Sequence, residues 1–363
     1  MALFALGFRP LYLLAGAYAA LSVPLWALQY AGWLPGANPL WHAHEMLFGY
    51  AFAVIAGFLL TAVRAWTSRP TPSGPALAGI ASLWLLARAA ALHSLVLSSL
   101  IDLLFALAVA WGIGRPIVAS RNRNWYFIVF VLALGAASIT FQVYPQTALA
   151  VGLDVVLLVI AIMGGRVIPS FTNNAIPGAG ARRNLWVEYG ALGSVFLLIV
   201  LDMLQVPAWP IALAGAVLHA ARAALWAPRT TRGRPILWIL HLSYAWVVVH
   251  LLLRGLAGFD LVSPSLATHA LTVGVIGGLT LGMMTRTARG HTARPLQVGA
   301  WETAAYVLVH AAAVVRVLLP LLFPETYVGL AVVSAVLWSA AFAIFTAVYV
   351  PILSCPRLDG QPG

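Results

Sequence analysis

The sequence predicts an all-α, polytopic membrane protein: a helical bundle of about twelve transmembrane helices with both termini cytoplasmic. Three observations carry this reading. The chain has 363 residues, of which 62% are hydrophobic and 8% charged, with mean hydropathy +0.95; a soluble domain carries about 25% charged residues. The apolar residues come in continuous runs near the roughly 20 residues that cross a bilayer as a helix, without the strict alternation of barrel strands. The arginines, finally, sort by loop. A bilayer admits only helices or closed barrels, because no backbone group can be left unpaired in lipid.

In chain order the predicted spans are 11–29, 42–63, 76–92, 95–113, 125–143, 147–168, 186–204, 209–227, 236–257, 265–285, 299–319 and 326–350. The first run is long and directly followed by others, so it reads as a span and not a cleavable signal. The second is uncharged from Leu47 to Val63. Short connections follow, several with Pro or Gly, such as Leu34-Pro35-Gly36, Pro70-Thr71-Pro72-Ser73-Gly74 and Pro177-Gly178. No soluble domain fits between them, so residues 1–363 are expected to form a single transmembrane domain. Span ten carries Gly274, Gly278 and Gly282 on one stripe, beside Gly277, which predicts close helix packing. The 14 Trp lie mostly near span ends, as an interfacial aromatic belt requires.

All 20 basic residues are arginine. Only Arg88, Arg254 and Arg316 fall toward one side; the remaining seventeen lie toward the other. The positive-inside rule then places both termini in the cytoplasm, and an even number of spans agrees. Topology accounts for the net charge of +11 without nucleic acid as a partner; the bilayer is the expected one. The single cysteine, Cys355, excludes an internal disulfide and a CxxCH haem attachment. No Walker-type loop, HExxH or catalytic triad is present.

The ionisable residues inside the spans are costly and mark candidate function. Alternation puts His42, His44 and Glu45 at the outer mouth of span two and His269 at the outer end of span ten. Neutral imidazole suits haem iron and copper. On a regular helix His42 and His44 point about 200° apart, so they serve different partners, and Glu45, three residues from His42, could orient that imidazole. An interfacial His–Glu pair at a helix mouth is the alternative. A second group runs from mid-membrane inward: His219 with Arg222 three residues on, His241 with Tyr244, and His291 in the inner loop after span ten. These three converge only if the loop from Arg286 to Arg294 folds upward; interhelical hydrogen bonding is the alternative. For His93, His250 and His310 the structural reading is preferred. Arg166 either snorkels or pairs a carboxylate such as a haem propionate.

With these stretches in hand, the sequence resembles the NnrS family over nearly its whole length. The resemblance rests on Gly7-Phe8-Arg9-Pro10, the WHAHEMLFGY stretch from Trp41, GFLLTAV at 57–63 with Trp66-Thr67, and Gly164-Gly165-Arg166-Val167-Ile168-Pro169. It continues in Leu240-His241-Leu242-Ser243-Tyr244-Ala245-Trp246, His269-Ala270-Leu271-Thr272-Val273-Gly274 and Arg289-Gly290-His291-Thr292. Departures fall at Ala293, Ser170 and Arg64-Ala65. The resemblance implies a bacterial inner-membrane protein that contains haem and copper and acts in the response to nitric oxide. The positions matching the family's histidine motifs are His42, His44, His219, His241, His269 and His291. Haem b is expected, with His44 and His269 as ligands, His42 adjacent and Arg166 as a propionate partner. Copper would fall to some of His219, His241 and His291, or to His42; Glu45, Arg222 and Tyr244 would support the ligands. Three functions remain open: binding or detoxifying nitric oxide; a nitric-oxide reductase or other redox enzyme fed by an external electron donor, quinol or a redox protein; and a metal or small-molecule transporter.

Overall fold

The computed structural model describes residues 2–36 and 38–361, and among them there are helices and no strands. Ten helices are long and apolar enough to cross a membrane: α1 (Phe8–Tyr30), α2 (Pro39–Thr67), α3 (Gly74–Ala91), α4 (Leu95–Ala119), α6 (Pro145–Ala175), α7 (Leu185–Met203), α9 (Pro235–Ala257), α10 (Pro264–His291), α11 (Ala300–Leu322) and α12 (Pro324–Ser354). Two apolar helices are shorter, α5 (Tyr126–Thr140) and α8 (Trp209–Leu225). All twelve fall on the runs that the sequence marks. The starts are set by local chemistry. Asn38 accepts from the backbone N–H groups of Leu40 and Trp41 ahead of Pro39, and Asn184 does the same for Trp186 and Val187. Both satisfy amides that a helix N-terminus otherwise leaves unpaired.

The ends differ from expectation in two places that matter. α6 runs through Pro169 to Ala175, because a proline in a membrane helix is tolerated where neighbours re-satisfy the backbone. Beyond it Asn173 clasps Ala181, donating to its carbonyl and accepting from its amide. α10 likewise continues to His291. His291 therefore ends a helix and does not sit in a loop free to fold upward. Three helices also contain wide π-helical stretches: Glu45–Ala51 in α2, Ala270–Gly277 in α10 and Val314–Leu318 in α11. Regular-helix geometry does not anticipate them.

The helices pack as a closed ring. α1 lies between α12 and α2; α2 meets α4; α4 to α12 follow one another in order, and α3 packs outside against α4. α2 is the most buried of the long spans and α7 the least, with α6, α9 and α10 next to α2. The ring closes where Arg9, at the start of α1, donates to the carbonyls of Leu353 and Cys355 at 2.9 and 2.7 Å. The ends of odd helices meet the starts of even ones throughout the other face, which we call the upper face; the face where the two ends of the chain meet is the lower.

Glycines of the recognised motifs let this ring close. A Cβ on Gly274 would stand 2.5 Å from the Trp246 ring, on Gly277 2.3 Å from Trp338, and on Gly278 2.2 Å from the Ser243 hydroxyl. Trp338 is fixed by its Nε1–H to the Ala19 carbonyl at 3.1 Å. The stripe in α10 thus serves close packing. Gly277→Ala should lower the thermal midpoint in detergent by the equivalent of roughly 1–3 kcal/mol of overpacking. Gly79→Ala, where nothing lies within 4 Å, should leave it unchanged or raise it slightly, since alanine favours helix. Equal midpoints for the two variants would contradict this packing.

Candidate functional site

The upper face buries three polar clusters, each built from several helices. The first surrounds His44. Its Nδ1–H donates to Glu45 Oε1 at 2.8 Å, and its Nε2 lies 3.0 Å from Ser99 Oγ and 3.3 Å from Ser138 Oγ. Arg88 bridges Glu45 at 2.9 Å and Asp102 at 2.5 Å, and the Tyr18 hydroxyl donates to Glu45. His44, Glu45 and Asp102 are wholly buried. Gly49 makes the approach possible: a Cβ there would stand 2.4 Å from the Arg88 guanidinium. Glu45 thus serves His44 and Arg88. The expected support of His42 by Glu45 is not formed: the Glu45 carboxylate is taken up by His44, Arg88 and Tyr18.

The second cluster joins α6, α7 and α9. Arg254 binds both oxygens of Asp154, at 2.8 and 3.0 Å, and Asp202 at 2.7 Å. The third is a cavity of about 490 Å³ between α1, α2, α6, α10, α11 and α12, and it brings His42, His269 and Arg316 together. All three π-helical stretches border it. Its walls are mostly apolar and aromatic. Trp26 stacks on the His42 ring at 4.0 Å and 18°, and His42 Nδ1 has no hydrogen-bond partner among the described residues. The His269 Nδ1–H donates to the Ser265 carbonyl at 2.7 Å. That bond fixes the tautomer and leaves the lone pair on Nε2, the form in which an imidazole ligates a metal. A volume of this size suits a small organic ligand or cofactor.

Below it lies a second, apolar cavity of about 90 Å³, lined by residues such as Val54, Phe58, Met163, Leu240 and Met283. Tyr50 borders the upper cavity and Thr280 the lower, and their hydroxyls meet at 2.5 Å.

The remaining sequence candidates lie apart. His219 Nε2–H donates to the Ala191 carbonyl at 3.1 Å, and its Nδ1 accepts from the Tyr244 hydroxyl at 2.7 Å. That oxygen accepts from Arg222 at 2.7 Å, while Arg222 binds Glu188 through two bonds of 2.9 and 2.6 Å. Gly165 makes room here, since a Cβ would fall 1.9 Å from Arg222. Tyr244 therefore supports His219 and not His241, whose Nε2 meets Thr172 Oγ1 at 2.9 Å. His291 packs against Phe8, ring centroids 5.6 Å apart. The convergence of His219, His241 and His291 does not occur, because α10 stays helical to His291. Arg166 donates to Asn124 at 2.8 Å and to the Tyr126 hydroxyl. Among the described residues no three His, Cys, Asp or Glu side chains form a group able to hold a metal ion.

Sequence reasoning passed over Arg88, Asp102 and Arg316. The signal was present: Arg88, Arg254 and Arg316 are the three arginines on the minority side, and all three prove to be anchored in the upper clusters.

The fold and these clusters define a multi-pass membrane protein with a histidine-lined cavity near one face. The sequence model of one family, described as NnrS protein, matches residues 2–357, and the chain belongs to the NnrS family. No curated protein matches the chain.

Arg88→Leu strands two buried carboxylates, and breaking such a pair costs about 3–5 kcal/mol. We expect a sharp fall in folded, monodisperse yield, while Arg115→Gln, an exposed arginine resting on Trp111, should match the parent. Equal yields would remove the structural role assigned to Arg88.

Proposed function

We propose that this protein is an inner-membrane haem protein of the nitric-oxide response, with the upper cavity as the haem site, where His269 and His42 would hold the iron. The observation that carries the reading is the pairing of two imidazoles from separate helices in one apolar cavity, one with its Nε2 lone pair free by tautomer and the other with an unpartnered ring nitrogen. Haem needs one or two such ligands, and the donor set fits it. Among the described residues no group of three His, Cys, Asp or Glu side chains forms that would hold a copper ion. Family membership supports the link to nitric oxide.

Haem, when bound, would supply an iron that takes a diatomic ligand in exchange for one of the two imidazoles. The chain's own contribution is then positional. Trp26 holds the His42 ring by stacking, and Ser265 holds His269. The walls are mostly apolar, and their polar groups come from His42, Ser265, His269, Arg316 and Tyr327 among others. Nitric oxide is small and neutral and dissolves in lipid, so it needs no polar path to an apolar cavity. His44, with both nitrogens engaged, supports the fold around Arg88 and is displaced from the ligand role by His42. Whether the bound gas is turned over depends on an external electron donor.

His269→Ala and His42→Ala should each abolish or shift the haem absorption spectrum of the purified protein, and His310→Ala should leave haem content unchanged. Retention of an unaltered spectrum by both cavity variants would sink the assignment. Sidedness has its own test. Cys355 is free and exposed, so with cytoplasmic termini a membrane-impermeant maleimide should label it only after permeabilisation. His93→Cys in a Cys355→Ser background should label in intact cells, being exposed on the opposite face; the reverse pattern would invert the topology.

A further inference from the structure

The acids of this chain are almost fully committed. Of nine Asp and Glu, seven are ion-paired with arginine: Glu45, Asp102, Asp154, Glu188, Asp202, Glu302 and Asp359. Asp260 and Glu325 are exposed. The upper-face arginines Arg88 and Arg254 each hold two carboxylates. Arg316 is 5% exposed, yet among the described residues no carboxylate pairs with it.

Its neighbours are neutral. Nη2 donates to the Tyr327 hydroxyl at 2.9 Å, and the guanidinium carbon lies 4.6 Å from the Tyr327 ring centroid. Tyr327 meets Ser265 Oγ at 2.9 Å, which in turn lies 3.2 Å from His269 Nδ1. Arg316 is thus fixed to the same support as His269, and it lies within electrostatic reach of both cavity imidazoles. Nη1 is buried with no hydrogen-bond partner among the described residues, in a side chain that lines the cavity. A buried guanidinium without a counter-charge is strongly disfavoured, the more so in a membrane.

We propose that Arg316 is the anion-recognising residue of the upper cavity and pairs through Nη1 with a carboxylate of a planar, amphipathic occupant. This rests on the haem reading for the identity of the occupant, a tetrapyrrole carboxylate, but the charge argument does not depend on iron. Guanidinium matches carboxylate geometry and forms the stronger, charge-assisted bond. The stacked Trp26–His42 wall suits a flat ring system. Arg166, the sequence candidate for this role, already has Asn124 and Tyr126 as partners.

The test uses metal-free protoporphyrin IX and its dimethyl ester, titrated by fluorescence into the full-length protein purified without haem. The free acid should bind at least about 10-fold tighter than the ester, as a charge-assisted hydrogen bond implies. Arg316→Gln should remove that preference by weakening the acid alone, and Arg316→Lys should keep part of it. Because the acid-to-ester ratio is read on the parent protein, a variant that fails to fold does not spoil the result. No preference in the parent, or no binding of either porphyrin, overturns the proposal. An anionic phospholipid that displaces the free acid equally from the parent and from Arg316→Gln would overturn it too. The two readings separate cleanly. No preference in the parent, with an intact histidine-dependent haem spectrum, refutes the role of Arg316 alone. A preference that persists where haem shows no histidine ligation refutes the haem reading alone.

Discussion

The cost of holding an unpaired charge inside a bundle of apolar helices governs this structure. Arg88 shows how the chain meets it. The guanidinium reaches two carboxylates and sits where Gly49 leaves room for it. The same solution recurs at Arg254 with Asp154 and Asp202, and at Arg222 with Glu188. Each links helices that apolar packing alone would leave free to slide, because lipid offers helices little hydrophobic reason to associate. The pairs act as fixed points between which the small-residue contacts of α10 and the tryptophans close the ring.

Against that background the upper cavity is the exception. His42, His269 and Arg316 line it with ring nitrogens and a guanidinium nitrogen that neighbouring side chains do not satisfy. The π-helical stretches beside it belong with this: such stretches favour functional sites, since they re-aim side chains at some loss of regular hydrogen bonding. In α2 the regular turn from Pro39 to His44, ahead of the π-helical stretch, already separates two histidines. His42 is presented to the cavity and His44 to the Arg88 cluster, so two imidazoles two residues apart do unrelated work.

The membrane fold was legible because hydropathy is a sum over many residues, and twelve apolar runs survive errors at every boundary. Alternation was legible too, since the side on which an arginine lies needs only a correct count. The WHAHE stretch could be marked as a site, and the divergence of His42 and His44 followed from helical geometry. What could not be read was partner choice. Tyr244 is one turn from His241 in sequence but bonds His219 on another helix, and Glu45 is held by His44 beside it and by Arg88 from the next helix. The grouping of His219, His241 and His291 failed for a similar reason: it required a loop where the helix continues. Arg316 was visible as a charge on the minority side, but its lack of a carboxylate is a property of the whole bundle and not of any local pattern.

The ion pairs also set an order of assembly as the chain emerges from its N-terminus. Arg88 finds Glu45 and Asp102 on the helices immediately before and after its own. Arg222 finds Glu188 one helix back, and Arg289 finds Glu302 one helix ahead. Arg254 on α9 needs α6 and α7 already in place. Each of these charges is neutralised within a few helices of its synthesis. Arg316, on the eleventh helix, meets no such partner among the described residues at any stage. On the reading proposed here, the occupant of the cavity brings the counter-charge that the helices themselves do not.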